Sequence, residues 1–351
     1  MENHEDIIEI RVDGGGGGGK EFKQFDIILA ADDDDDDNNN SSISDHHFAS
    51  SSDLKTNKYS SQTNKRIMKE WKILEECLPD SIYVRAYEGR IDLLRAVIVG
   101  AEGTPYHNGL FFFDIQLPSD YPYGPPNVHY HSFGFRLNPN LYPRGKVCLS
   151  LLNTWFASEG ARWNPSKSTV LQVLVSIQAL VLNAKPYFNE SRSWYSTREK
   201  ESLAYNEEKF VLSCKKMLAV LNKPPKHFEE FVAQHFRDRA ETILTACKAY
   251  IDDSPVNNTL SSSATTTLTV PKRYQRLMRI IYSRLVKAFI KNGSSSLKNY
   301  LGSYDMDVDE KFVEPRLPGE MDENQASLSE LIHPLLTLFV FVFLFLVFIL
   351  F

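Results

Sequence analysis

From Lys65 onward, apolar side chains recur every three or four residues. Ile67, Met68, Trp71, Ile73, Leu74 and Cys77 mark the stripe of an amphipathic helix that Pro79 stops. The period then changes. Residues 82–84, 93–99 and 109–115 are short runs rich in β-branched and aromatic side chains, broken by glycine or proline, and they predict a three- or four-strand antiparallel meander. Asn164 followed by Pro165 predicts a helix cap and first helical position, and the run 170–182 is apolar almost all round, which places that helix behind the sheet. Residues 197–221 and 227–250 mix charged and apolar side chains at helical spacing and predict a helix pair separated by Pro224 and Pro225. Beyond a Ser/Thr/Asn-rich stretch at 257–269, expected to be a linker, residues 272–291 predict a separate helix with the stripe Leu277, Ile280, Ile281, Leu285 and Phe289.

Charge and composition narrow the classes. The chain of 351 residues holds 45 acidic and 39 basic side chains, and the run Asp32 to Asp37 alone accounts for the net charge of -6. The remainder is balanced, which argues against a nucleic-acid binder held by excess positive charge. A composition of 42% hydrophobic and 12% aromatic residues supports a sizeable core and excludes global disorder. Residues 1–64 differ. Six glycines (Gly14 to Gly19), the aspartate run and the Asn/Ser tract offer little to bury, so this stretch is expected to be a flexible acidic tail. An uninterrupted aspartate block lacks the interleaved ligands and glycine turn of an EF-hand. Cys77, Cys148, Cys214 and Cys247 stand too far apart for a zinc cluster or a dense disulfide scaffold, so no metal site is expected. The acidic start Met1 to Asp6 has no secretory pattern, which points to a reduced cytosolic or nuclear setting for any thiol chemistry.

The informative region runs from Tyr121 to Asn189. It holds Tyr121-Pro122-Tyr123-Gly124-Pro125-Pro126, then Asn138-Pro139-Asn140-Leu141-Tyr142-Pro143-Arg144-Gly145-Lys146-Val147-Cys148-Leu149, and Trp163-Asn164-Pro165 before the apolar helix. Taken alone, Cys148 between two aliphatic residues reads as a packed core thiol. The ordered set around it resembles the ubiquitin-conjugating enzymes over about residues 65–250. In that family a turn usually reading His-Pro-Asn places its asparagine eight residues before the catalytic cysteine, the spacing of Asn140 and Cys148 here. The first position departs from the family, being Asn138 rather than His, which puts the bracing of the loop in question. The stretch from Val147 to Trp155 and the long loop to Trp163 resemble a branch of large plant and animal members that combine conjugation with ligase activity, the plant phosphate-signalling conjugating enzyme among them.

The resemblance implies an α/β fold of the α+β kind: a four-strand antiparallel meander on a buried helix, with one helix before it and helices after it. It further implies a thioester mechanism without a bound cofactor or metal. Cys148 takes ubiquitin from an activating enzyme, which consumes ATP upstream, and passes it to a substrate lysine alone or with a ubiquitin ligase. A ubiquitin-like modifier fits the same residues, and a catalytically inactive ubiquitin-binding variant is the alternative. Asn140 either donates to the tetrahedral oxyanion or ties the turn by bonding backbone. Pro139 and Tyr142 belong with Asn138 to the loop support. Asn189, near the end of the apolar helix, is the position matched to acceptor-lysine positioning. Arg144 and Lys146 either favour the thiolate or are simply solvated. By position, Lys65, Arg66 and Lys69 on the first helix, with Tyr123, Pro125, Trp163 and Pro165 in two loops, correspond to surfaces that meet the activating enzyme and ligases; the rival readings are a solvated helix face and, for Trp163, core packing. His107, His129 and His131 are the candidate partners of Cys148 in a cysteine hydrolase, the enzyme alternative from another class.

Residues 335–351 form an uncharged run of 17 residues with six phenylalanines. As a helix it spans roughly 26 Å, close to the thinner endoplasmic reticulum bilayer. Residues 331–351 are therefore expected to anchor the protein by its tail, with the catalytic domain on the cytosolic face. The acidic flank from Glu320 to Glu330 opposes the usual positive-inside pattern, and a soluble cytoplasmic or nuclear protein is the alternative. The helix at 272–291, in the segment 251–330, carries seven basic residues and no acidic one. It either lies on an anionic membrane or docks on its own protein.

Overall fold

The computed structural model describes residues 22–29, 44–50, 60–155, 159–189, 198–252 and 270–300, together with Leu317 and Glu320. The glycine and aspartate runs, the linker 257–269 and the apolar run 335–351 lie outside the described residues.

Ser60 opens the first helix, α1 (Ser61–Cys77), by accepting the Thr63 backbone N–H on its hydroxyl at 3.0 Å. Ile67, Trp71 and Leu74, spaced one and two turns apart, point into the core. The meander follows as expected, with β2 (Ile82–Tyr87), β3 (Arg90–Val99), β4 (Leu110–Gln116) and β5 (Asn127–Tyr130) pairing antiparallel in sequence order. Every residue of β4 is buried. Register sorts its side chains: Phe111, Phe113 and Ile115 join one apolar core with Val170, Val173 and Leu174, while Asp114 lies beside Arg95 on the opposite face. Burying each of these phenylalanines contributes roughly 1.5–3 kcal/mol.

A fifth strand, β1 (Phe25–Ile28), extends the sheet parallel to β2, so the order is β1-β2-β3-β4-β5. It falls within the stretch expected to be flexible, as does the segment 44–50, and both are held by specific partners. The Phe22 ring lies 5.0 Å from that of Phe231, with the Arg85 guanidinium 3.9 Å over it. Segment 44–50 crosses the outer face of the sheet. There Arg95 Nη1 bonds both Asp45 carboxylate oxygens at 2.9 and 3.0 Å, and the His47 N–H bonds Asp114 Oδ2 at 2.7 Å. The average composition of residues 1–64 hid these short anchors.

The apolar helix begins later than the Asn-Pro pair indicated. Asn164 Oδ1 accepts the Ser166 N–H in a local turn, and the cap of α2 (Val170–Ser176) is Thr169, paired with Gln172 in a capping box. Buried Glu70 of α1 adds a carboxylate at that helix start, accepting the Val170 N–H at 3.0 Å. Residues Ile177–Val181 continue α2 as a π-helical turn. The helix is not buried all round, because Val175 and Leu180 are 37% and 62% exposed.

Helices α3 (Glu199–Asn222) and α4 (Glu229–Ile251) form the expected pair. The next helix, α5 (Lys272–Lys291), is not separate. It packs against α3 and α4 through Leu277, Met278, Ile281, Leu285 and Phe289, leaving six of its seven basic side chains exposed. Its stripe is used within the chain, so the folded unit extends past residue 250. Among the described residues, no helix is long and apolar enough to cross a membrane.

Candidate active site

The eight-residue spacing of Asn140 and Cys148 has a structural cause. The chain turns back on itself so that the two residues face each other: Cys148 N–H donates to the Asn140 carbonyl at 2.9 Å, and Asn140 Nδ2 donates to the Cys148 carbonyl at 2.9 Å. The tip closes through Tyr142 N–H to the Lys146 carbonyl at 3.0 Å and Gly145 N–H to the Tyr142 carbonyl at 2.9 Å. Gly145 has a φ of 87°, and a Cβ there would fall 2.0 Å from the His129 ring, so glycine is required on two counts. Past the thiol, Thr154 clamps the strand exit. Its hydroxyl donates to the Val147 carbonyl at 2.7 Å and accepts the Leu149 N–H at 2.9 Å. Cys148 is 3% exposed.

Asn138 supplies the brace that its departure from the family pattern put in question. Fully buried, it donates through Nδ2 to the Val181 carbonyl (2.7 Å) and the Tyr106 hydroxyl (2.9 Å), and its Oδ1 accepts the Asn140 N–H at 2.8 Å. Burial holds the Tyr106 phenol well above its usual titration range, so it stays an O–H donor and reaches the Leu137 carbonyl at 3.0 Å. Pro139 is buried within the turn and Tyr142 half-buried at its tip, where Lys146 Nζ stands 5.8 Å from the ring centroid. Arg144 and Lys146 are exposed.

In the resting state Asn140 thus makes the turn-tying bond to backbone. An amide nitrogen carries two hydrogens, so the bond to Cys148 leaves a second N–H for an oxyanion. Asn189 is committed elsewhere: its Nδ2 donates to the Val181 carbonyl at 3.0 Å and its Oδ1 accepts from Asn183 at 2.7 Å.

The docking positions divide into two kinds. Lys65 and Lys69 are exposed on α1, Tyr123 is 74% exposed, and Pro125 and Pro165 are half-buried. Arg66 turns inward, pairing with Glu70 at 2.7 Å and donating to the Ser168 carbonyl at 2.6 Å. Trp163 is 8% exposed and donates its indole N–H to the Pro122 carbonyl at 2.7 Å, so it belongs to the packed interior. The three histidines have other ring partners. His131 Nε2 lies 2.9 Å from Asp114, His129 stacks on His47 at 3.5 Å, and His107 stacks on Phe210 at 5.0 Å.

Tyr106, Thr154, Asn183 and the Arg95–Asp114 pair were not singled out in the sequence. Only the last had a visible signal, a single charge inside each of the apolar runs 93–99 and 109–115. Burial raises the Asp114 carboxyl, but the His131 ring 2.9 Å away and the two hydrogen bonds from Arg95 outweigh it and hold the group well below the usual carboxylate range.

Comparison with known proteins agrees with this geometry. The family profile described as "Ubiquitin-conjugating enzyme" matches residues 66–212. Among the relatives, "Probable ubiquitin-conjugating enzyme E2 24" of Arabidopsis thaliana is 49% identical over 251 residues, which are 70% of this chain and 27% of that protein. "Putative ubiquitin-conjugating enzyme E2 38" of the same plant is 54% identical over 209 residues, 58% of this chain and 64% of the relative. The human "Dual E2 ubiquitin-conjugating enzyme/E3 ubiquitin-protein ligase BIRC6" is 38% identical over 207 residues, 55% of this chain and 4% of the relative. The chain therefore spans less than two thirds of each of these relatives. Strands β2 to β5, the thiol hairpin and the similarity coincide, and residues 66–212 carry a domain of the ubiquitin-conjugating enzyme family.

Proposed function

We propose that the chain carries ubiquitin on Cys148 and transfers it to lysine amines of protein substrates, alone or with a ubiquitin ligase. The observation that supports this best is the hairpin that pairs Cys148 with Asn140 in both directions inside the matched domain. In the first step, Cys148 thiolate attacks the thioester carbonyl presented by the activating enzyme; a new carbon–sulfur bond forms, and the activating enzyme's thiolate leaves. ATP is spent in that upstream activation. In the second step, a neutral lysine amine attacks the Cys148 thioester, the resulting oxyanion accepts an N–H from Asn140, and collapse expels the Cys148 thiolate. The amine's proton passes to solvent and an amide remains. Asn138, with both amide hydrogens bonded and its Oδ1 holding the Asn140 N–H, supports an active enzyme over a non-catalytic ubiquitin-binding variant.

Exposed Lys65 and Lys69, with Tyr123 and the Pro125 and Pro165 edges, are the surfaces proposed to meet the activating enzyme and a ligase. The run 335–351 is proposed to insert in the endoplasmic reticulum membrane, leaving Cys148 on the cytosolic side. Incubation with activating enzyme, ATP, ubiquitin and free lysine tests the reaction. Mass spectrometry is expected to show ubiquitin joined to lysine with the wild type and none with Cys148→Ala. Deleting 335–351 is expected to move the protein from the membrane pellet to the supernatant; full-length protein that is already soluble after salt washing removes the anchor.

A further inference from the structure

Four asparagines make one hydrogen-bonded chain that begins at the Cys148 backbone carbonyl and leaves the loop altogether. Asn140 bonds the Cys148 carbonyl, Asn138 Oδ1 holds the Asn140 N–H, and Asn138 Nδ2 reaches the Val181 carbonyl. From the other side, Asn189 Nδ2 donates to that same oxygen, and Asn183 Nδ2 donates to Asn189 Oδ1 and to the Leu180 carbonyl at 2.8 Å. Val181 closes the π-helical turn, where a helix leaves carbonyls without partners of their own. A carbonyl oxygen has two lone pairs, and here each receives a different asparagine. The inner half of the junction is buried, with Val181 1% exposed and Asn138 fully buried, while Asn183 and Asn189 are half-buried.

We infer that Asn189 is a positioning residue, which fixes the Val181 carbonyl where Asn138 needs it and through Asn138 orients Asn140 beside the thioester. This inference rests on the acyl-transfer reading of Cys148. It differs from a direct role on the acceptor amine, and the two make opposite forecasts for one substitution. An aspartate at position 189 offers an incoming ammonium an anion and a proton acceptor, so a direct role is improved by it. Through the Val181 carbonyl, the same aspartate loses the N–H donor and sets a negative oxygen against a carbonyl oxygen, which loosens the junction more than alanine does.

The experiment measures, for full-length protein in mild detergent, the rate at which charged Cys148 discharges to free lysine, divided by its loading rate. Asn189→Ala is expected to lower this ratio about tenfold and Asn189→Asp to lower it further. The pH profile of discharge keeps its wild-type shape in both. The side-chain amide resonances of Asn138 and Asn140 shift in both variants, which a role confined to the acceptor does not produce. Tyr106→Phe, which removes the other partner of Asn138 Nδ2, lowers the ratio as well, and its combination with Asn189→Ala costs less than the product of the two because both act through one junction. Discharge by Asn189→Asp at or above the wild-type rate, a new ionisation in its profile, or unshifted Asn138 resonances overturns the positioning role while acyl transfer stands. If wild-type protein never loads, the acyl-transfer reading falls and the positioning role falls with it.

Discussion

Replacing Asn140 with alanine separates the two functions that one side chain can serve. Its backbone carbonyl still accepts the Cys148 N–H, so the hairpin register survives; what disappears is the Nδ2 bond of 2.9 Å to the Cys148 carbonyl. A neutral hydrogen bond of this kind contributes about 1 kcal/mol to stability. The loss is partly offset, because Asn140 Oδ1 is buried without a hydrogen-bond partner and alanine removes that unpaired atom as well. Folding stability therefore falls by about 1 kcal/mol or less. Loss of an oxyanion donor is larger, about 2.7–4 kcal/mol of barrier, or a hundredfold to thousandfold in rate. The assay charges Cys148 in a pulse and follows discharge after free lysine is added, with loading timed separately. Discharge is expected to slow by two to three orders of magnitude and loading by far less. Equal slowing of both steps, or a stability loss of several kcal/mol, refutes the oxyanion role and leaves Asn140 as a tie for the turn.

Asp114→Asn leaves the buried Arg95 guanidinium with Asp45 as its remaining carboxylate, at a cost of about 3 kcal/mol in denaturant unfolding; a change below about 1 kcal/mol contradicts the buried pair. Burial lowers the titration of His46, His47 and His129, the last to about 4 with help from its histidine neighbours, so these rings stay neutral in the fold at pH values where the unfolded chain protonates them. Their contribution is complete above about pH 6.5 and declines as pH falls below it, for His129 down to about pH 4, while Asp114 stays ionised throughout; unfolding midpoints that rise on acidification in this window contradict the sign. Gly145→Ala forces a side chain into a positive-φ site and onto the His129 ring, and is expected to cost about 2 kcal/mol or more and to slow loading of Cys148. A wild-type melting temperature with wild-type loading counts against that geometry.

Much of the fold was legible because local patterning and tertiary packing agree. The stripe of α1 and the apolar runs of β2 to β4 bury the faces that their periods indicate. The spacing of Asn140 and Cys148 was legible for a physical reason as well, since two residues that face each other across a short hairpin must keep a fixed separation. The helix cap was misplaced although its signal was present: Thr169 and Gln172 have the spacing of a capping box, but Asn164-Pro165 fits the simpler rule and spends its side chain on a turn. Strand β1 and segment 44–50 were hidden because their stability comes from Arg85, Arg95 and Asp114, far along the chain, and not from their own composition. Arg66 and Trp163 look like surface residues in sequence, yet an acid one turn away and a proline carbonyl draw them inward. The convergence on Val181 depends on a π-helical turn that no periodicity announces.

The most direct measurement mixes full-length protein in mild detergent with activating enzyme, ATP and ubiquitin, then compares gels run with and without thiol reductant. A band heavier by one ubiquitin that vanishes with reductant, and that resists reductant in Cys148→Ser where an ester forms instead, is the result expected of a Cys148 thioester. Cooperatively folded protein that gives no such band, or a band that persists in Cys148→Ala, contradicts it.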